Sequence, residues 1–156
     1  MTIKRINLIA LMTGVLLLQG CTQAGAGTDW PTDFEAARKS AAELKRPILI
    51  DFSGSDWCGW CIKLDKEVFS TEPFKSFARD NLVLMLADFP NRTPQPDALK
   101  KQNEALAGRY GIQGFPTVLL LDAEGKVLAR TGYRPGGAEA YIAHIKELLQ
   151  TVAKQP

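Results

Sequence analysis

The stretch Ile48-Leu49-Ile50-Asp51-Phe52-Ser53-Gly54-Ser55-Asp56-Trp57-Cys58-Gly59-Trp60-Cys61 carries most of the information about the fold. Residues 48–52 form a short apolar run rich in β-formers, which reads as a buried strand. Residues 53–57 read as a loop, and a helix is expected to start near Cys58 and run past Phe69. Two cysteines separated by two residues beside a strand–helix pattern are a redox-motif candidate. At the first turn of a helix that spacing lets the two sulfurs meet. Cys58 would lie at the positive end of the helix, where backbone N–H groups favour a thiolate, and would stay open to a substrate. Cys61, one turn further in, would be shielded and react second. Cys58 would attack a substrate disulfide, and Cys61 would then attack Cys58 and release the product.

Asp51 lies in the apolar strand seven residues before Cys58. Burial would raise its pKa, and a carboxyl raised in this way near Cys61 would accept and return that thiol's proton. A strand-end carboxylate facing solvent is the alternative. Trp57 and Trp60 flank the cysteines, either as an apolar docking surface or, for Trp57, as packing beneath the loop. Phe115-Pro116 leads into another strand, and from local physics alone its bond is expected trans, since cis X–Pro bonds make up about 5–6% in folded proteins.

Working outward, the elements alternate. Thr32 and Glu35 have the spacing of a capping box for a first helix with Phe34, Ala37, Ala41 and Leu44 on one face, stopped by Pro47. Pro73 opens a shorter helix to about Arg79. Residues 82–87 are a second buried strand, and 88–96 are a proline-containing loop. Residues 97–110 form a helix with Leu99, Leu106 and Tyr110 inward and Gly111 at its end. Residues 117–121 and 126–131 form a hairpin around Asp122-Ala123-Glu124-Gly125. After Gly136-Gly137 a closing helix carries Ala138, Tyr141, Ile145, Leu148 and Val152 in one stripe. Strands separated by helices are expected parallel and the hairpin pair antiparallel. The fold class is therefore α/β, a mixed four-stranded sheet with helices on both faces.

At the start of the 156-residue chain, Lys4 and Arg5 precede an apolar run from Leu8 to Leu18, too short for a comfortable span of about 20 residues. It reads as a signal peptide. Leu18-Gln19-Gly20-Cys21 resembles the lipobox of bacterial lipoproteins, in which the signal is cut before the Cys and the Cys is acylated. The expected organisation is a lipoprotein signal over 1–20, lipidated Cys21 with a flexible tether over 21–32, and one domain over 33–156. Trp30-Pro31 marks where order begins. Acyl chains on Cys21 would hold the protein to a membrane. In a Gram-negative envelope, Thr22 in place of the Asp associated with inner-membrane retention points to the outer membrane. Of the 19 basic residues the signal removes two and of the 17 acidic residues none, so the mature chain is near neutral and no nucleic-acid partner is expected. With Cys21 assigned to lipid, Cys58 and Cys61 remain as a pair. Hydrophobic residues at 46% and charged residues at 23% suit one soluble core.

Four features in this order, Ile50-Asp51-Phe52, Trp57-Cys58-Gly59-Trp60-Cys61, Gly114-Phe115-Pro116-Thr117 and the hairpin with Gly125 and Gly132, resemble the thioredoxin superfamily over about Pro47 to Leu149. With Glu67-Val68-Phe69 and Asn81-Leu82-Val83 the chain looks most like the C-terminal domain of the DsbD thiol:disulfide reductase and related exported proteins. The resemblance implies that Pro116 is cis and faces the cysteines, that Phe115 backbone groups pair with a bound substrate strand, and that Asp51 is the buried carboxylate. It makes Cys58, Cys61, Asp51 and Pro116 the catalytic set, with Trp57, Gly59, Trp60 and Phe115 contacting substrate. It implies a thiol–disulfide oxidoreductase of the cell envelope that reduces exported disulfide-containing proteins and takes electrons from a membrane-bound donor, with no cofactor and no metal. The loop 53–57 is one residue longer than in cytosolic thioredoxins, and Trp60 stands where a proline is common. The Lys that partners the buried Asp has no counterpart in residues 83–87. An oxidase of the same fold, a metal-binding module and a non-catalytic adaptor are the rival readings. For metal, two thiols make half a tetrahedral zinc site and the one histidine, His144, lies far along the chain.

Overall fold

The computed structural model describes residues 30–154. Residues 1–20, read from the sequence as a signal, Cys21 and residues 22–29 of the expected tether lie outside the described residues. Helix α1 spans Phe34–Leu44, strand β1 Ile48–Ser53, helix α2 Gly59–Leu64, helix α3 Glu72–Asn81, strand β2 Val83–Asp88, helix α4 Asp97–Tyr110, strand β3 Thr117–Leu121, strand β4 Val127–Thr131 and helix α5 Gly137–Ala153. Between α2 and α3 the chain continues as a π-helical segment, Asp65–Phe69. No helix among the described residues is long and apolar enough to cross a membrane.

The sheet order is β2-β1-β3-β4. β1 and β2 are parallel, with Ile48 opposite Val83 and Ser53 opposite Asp88. β3 runs antiparallel to β1, with Ile48 opposite Leu121 and Phe52 opposite Thr117, and β4 runs antiparallel to β3. The expectation that helix-separated strands are parallel therefore holds for β1 and β2 and fails for β3. The connection from β2 through α4 leaves and re-enters the sheet at the same end, so β3 starts where β1 and β2 finish. This reversal brings the residues before Thr117 to the loop that follows Ser53.

Strand alternation supplies two cores, one on each face of the sheet. On one face Ile48, Ile50, Phe52, Met85 and Leu119 pack against Phe34, Ala37 and Ala41 of α1 and Leu106 and Tyr110 of α4. On the other, Leu49, Val118 and Leu120 pack against Leu64, Val68 and Phe69, Phe74 of α3, and Tyr141 and Ile145 of α5. Every residue of β1 is buried, the polar Asp51 and Ser53 along with the apolar positions. The helices thus cover both faces.

Several local expectations are corrected. The N-cap of α1 is Asp33, whose carboxylate accepts the Ala36 N–H, while the Thr32 carbonyl is taken by the Gln102 side chain. Leu44 is exposed, because α1 ends there and Lys45 takes the left-handed conformation (φ 53°) two residues before Pro47. Leu99 is only half-buried, and Asn103 fills the inward position of α4 instead. Trp30 packs on Phe69 and Phe74 at ring separations of 4.8 and 6.2 Å, and the Pro31 carbonyl accepts the Leu86 N–H. The end of the stretch read as tether is thus part of the folded body.

Candidate active site

Three chain segments converge at the end of the sheet where β1 and β2 finish and β3 begins. The first is the loop after β1. Gly54 lets the chain turn beneath the Trp57 indole: a Cβ built there would sit 2.5 Å from the ring. The Gly54 carbonyl accepts the N–H groups of Trp57 and Cys58, which closes the turn and presents Cys58 as the N-cap of α2. Cys58 and Cys61 form a disulfide with Cα atoms 5.2 Å apart. The Cys61 N–H donates to Cys58 Sγ at 3.2 Å and the Gly54 N–H to Cys61 Sγ at 3.5 Å.

Cys58 is less open than the sequence suggests. It is 7% exposed against 2% for Cys61, since in the disulfide its sulfur turns in toward its partner and the helix N–H. The ordering of the two is as expected, but the leading sulfur is recessed between more exposed neighbours. Trp57 is 42% and Trp60 58% exposed, and Gly59 between Cys58 and Trp60 is open.

The second segment is the entry to β3. The Phe115–Pro116 bond is cis, as the family resemblance implies and local preference does not. Gly132 at the end of β4 leaves room for it, since a Cβ there would lie 3.0 Å from the Pro116 carbonyl oxygen. The third is the exit from β2. Asp88 accepts the Ser55 N–H and hydroxyl at 2.9 and 2.6 Å, tying this strand end to the cysteine loop. The Trp57 indole N–H donates to the Phe89 carbonyl at 2.7 Å. The rings of Phe89 and Phe115 lie 5.0 Å apart, and Trp57 meets Phe115 edge-on at 5.9 Å.

Asp51 is buried on the face of β1 that packs against α2, α3 and α5, four per cent exposed, and its Oδ1 has no hydrogen-bond partner among the described residues. Burial, reinforced by the negative charges of Asp65 and Asp88, pushes its carboxyl up to about 8. The solvent-facing alternative is therefore excluded. Among the described residues no Lys offsets this carboxylate, in keeping with the apolar Val83–Ala87 run, and the acidic neighbours raise it further. Asp65, one turn beyond Cys61, and Asp88 are contributors that sequence patterning passed over. Each reads there as ordinary helix-surface or loop charge, and only the folded arrangement brings their field onto Asp51.

On the opposite flank of the pair, the Trp60 ring lies 5.0 Å from Tyr133, with the Lys63 ammonium 5.3 Å from both ring centres. Tyr133 donates to Glu67 at 2.9 Å, and Lys63 pairs with Glu67 at 3.8 Å. His144 bonds Thr131 at the end of β4 at 2.9 Å.

A disulfide at a helix start, a cis-proline loop and a buried unpartnered carboxyl on a four-stranded mixed sheet define a thiol–disulfide oxidoreductase. The chain belongs to the thioredoxin-like domain family, whose model matches residues 34–148. It is 40% identical over 127 residues to the disulfide bond reductase DsbH of Chlamydia pneumoniae, covering 81% of this chain and 76% of that protein. The solved structure of a DsbH oxidoreductase superposes with a TM-score of 0.75 at 37% identity, over 88% of this chain and 95% of the other. The oxidised C-terminal domain of DsbD from Neisseria meningitidis shares the fold, with a TM-score of 0.52 at 21% identity over 76% of this chain and 97% of that domain.

Proposed function

We propose that this protein reduces disulfides in exported proteins from a lipid-anchored position in the cell envelope. The observation that carries the reading is the Cys58–Cys61 pair at the start of α2, set between exposed tryptophans. The name of the DsbH relative, a disulfide bond reductase, supports the direction. Lys4, Arg5, the apolar run 8–18 and Cys21 after Gly20 support export and acylation, with residues 1–20 as signal and Cys21 as the lipid-bearing residue. The outer membrane is the address that Thr22 favours.

In the reduced protein the Cys61 N–H that points at Cys58 Sγ stabilises a thiolate there. That thiolate attacks one sulfur of the substrate disulfide and forms a mixed disulfide, and the other substrate sulfur leaves as a thiolate that takes up a proton from water. The ionised fraction of Asp51, which grows as pH approaches 8, takes the Cys61 proton. The Cys61 sulfur attacks Cys58 Sγ, closes the internal disulfide and releases the second substrate thiol, which recovers a proton. Two electrons pass from the dithiol to the substrate, and a membrane-bound dithiol donor restores the pair. Backbone groups of Phe115, held by cis-Pro116, pair with the substrate strand, while Trp57, Gly59 and Trp60 receive its flanking side chains.

Equilibration in glutathione buffers tests the direction. A potential near about −270 mV supports the reductase, and one near about −120 mV identifies an oxidase. Cys61→Ser should trap a mixed disulfide with exported proteins on non-reducing gels, and Cys58→Ser should trap none.

A further inference from the structure

The loop after β2 is tied to the cysteine loop by a residue that the exchange chemistry leaves unused. Asp56 Oδ1 accepts the Asn91 N–H at 2.9 Å, and Oδ2 accepts those of Arg92 and Thr93 at 2.8 Å each. Three consecutive main-chain donors thus converge on one carboxylate. These bonds, that of Asn91 foremost, hold its carboxyl down to about 2, so the ionised form closes the clamp.

The base of the same loop is anchored elsewhere. The Phe89 N–H donates to the Ser53 carbonyl, and the Gln95 and Asn103 side chains donate to the Asp88 carbonyl. The apex stands off the body. A cleft of about 430 Å³ separates Pro90, Asn91 and Thr93 from Asp97, Lys100 and Glu104 of α4. With that hollow behind it, the apex has little packing to keep it in place, and the Asp56 bonds hold it from the site side. Phe89 leaves this loop to pack on Phe115, and its carbonyl receives the Trp57 indole. The three rings form an aromatic wall leading to the cis bond before Pro116, and Trp57 keeps enough open surface to be covered by a ligand.

We propose that Asp56 is a positioning residue: by pinning the 89–96 loop it fixes the Phe89–Phe115–Trp57 wall, which selects disulfides with an apolar side chain beside the attacked cysteine. The proposal rests on the disulfide-reductase reading. An aliphatic side chain laid on the ring faces loses water only if the wall is already formed. A loop free to fall into the cleft would have to be ordered again at each binding event, which weakens binding without touching the sulfurs.

The test uses the full chain, pre-reduced, in single-turnover stopped-flow against two hexapeptide disulfides that differ only in Leu or Ser beside the cysteine. Half-saturation concentration and limiting rate are read separately. The wild type should favour the Leu peptide in half-saturation. Asp56→Ala should raise its half-saturation for that peptide about tenfold, the scale of one or two methylene contacts, with limiting rate and redox potential unchanged. Asp56→Glu should recover part of the loss. Phe89→Ala, which leaves the clamp in place, should lose the same Leu preference. Unchanged discrimination in both Asp56→Ala and Phe89→Ala overturns the proposal. So does a fall in limiting rate or a shift in potential shared by both peptides, which would place Asp56 in thiol chemistry. A wild type that reduces both peptides with equal half-saturation overturns the wall and leaves the reductase standing. A wild type that reduces neither overturns the reductase reading, and the wall with it.

Discussion

Replacing Asp51 by Asn should change how the stability of this protein depends on pH. In the folded, oxidised protein the Asp51 carboxyl titrates near 8 against an ordinary value of 3.8, because burial and the charges of Asp65 and Asp88 oppose its ionisation. Between those values the folded chain holds a proton that the unfolded chain has released. Stability is therefore fully present below the unfolded value, falls as pH rises, and stops falling above the folded value. At ~1.36 kcal/mol per pH unit, the loss between pH 5 and pH 8 is about 4 kcal/mol. That is a large share of the ~5–15 kcal/mol that holds a typical domain together. Asparagine does not titrate, so Asp51→Asn should abolish this slope. Any fixed cost of placing its amide where Oδ1 lacks a partner is the same at every pH. Urea unfolding with the disulfide intact, at unit steps from pH 5 to pH 9, reads the effect as the difference between the two proteins. His144, which burial holds below its ordinary value and which acts with the opposite sign at the acid end, cancels in that difference. A wild type whose stability is flat or rises over this range relative to Asp51→Asn would refute the reasoning, since the carboxyl would then be ionised in the native state.

The same substitution should lower the rate at which Cys61 resolves the mixed disulfide by about 100-fold at pH 7, the lower end of what a general base contributes, and remove a rising limb of the pH–rate profile near 8. Gly54→Ala should destabilise the oxidised protein by about 1–3 kcal/mol, because the added methyl meets the Trp57 ring at 2.5 Å. A blue or red shift of Trp57 fluorescence should accompany it, and an unchanged spectrum with unchanged stability would contradict the close approach.

Much of the architecture is legible in the chain because it depends on short-range patterning. The run Ile48–Phe52, apolar apart from Asp51, is buried on both sides, and the stripe through Tyr141 and Ile145 lies against the sheet. The Cys-x-x-Cys spacing leads to a disulfide at a helix start because the geometry of one helical turn sets that distance. Local signals that compete are less readable. Thr32 and Asp33 are both suitable caps; Asp33 caps α1, and the Thr32 carbonyl, just outside the helix, is held by Gln102, 70 residues away.

The chain by itself determined the strands, the helices, the reacting sulfurs and an acidic residue inside an apolar strand, since each follows from neighbours within a few positions. Tertiary structure decided that β3 runs antiparallel to β1 and that the bond before Pro116 is cis. It also decided that Asp65 and Asp88 lie close enough to charge the surroundings of Asp51, and that Asp56 holds residues 91–93. Those outcomes depend on contacts that packing makes beyond any local window. Local preference is silent or contrary there, and the free energy of packing two cores onto one sheet overrides it.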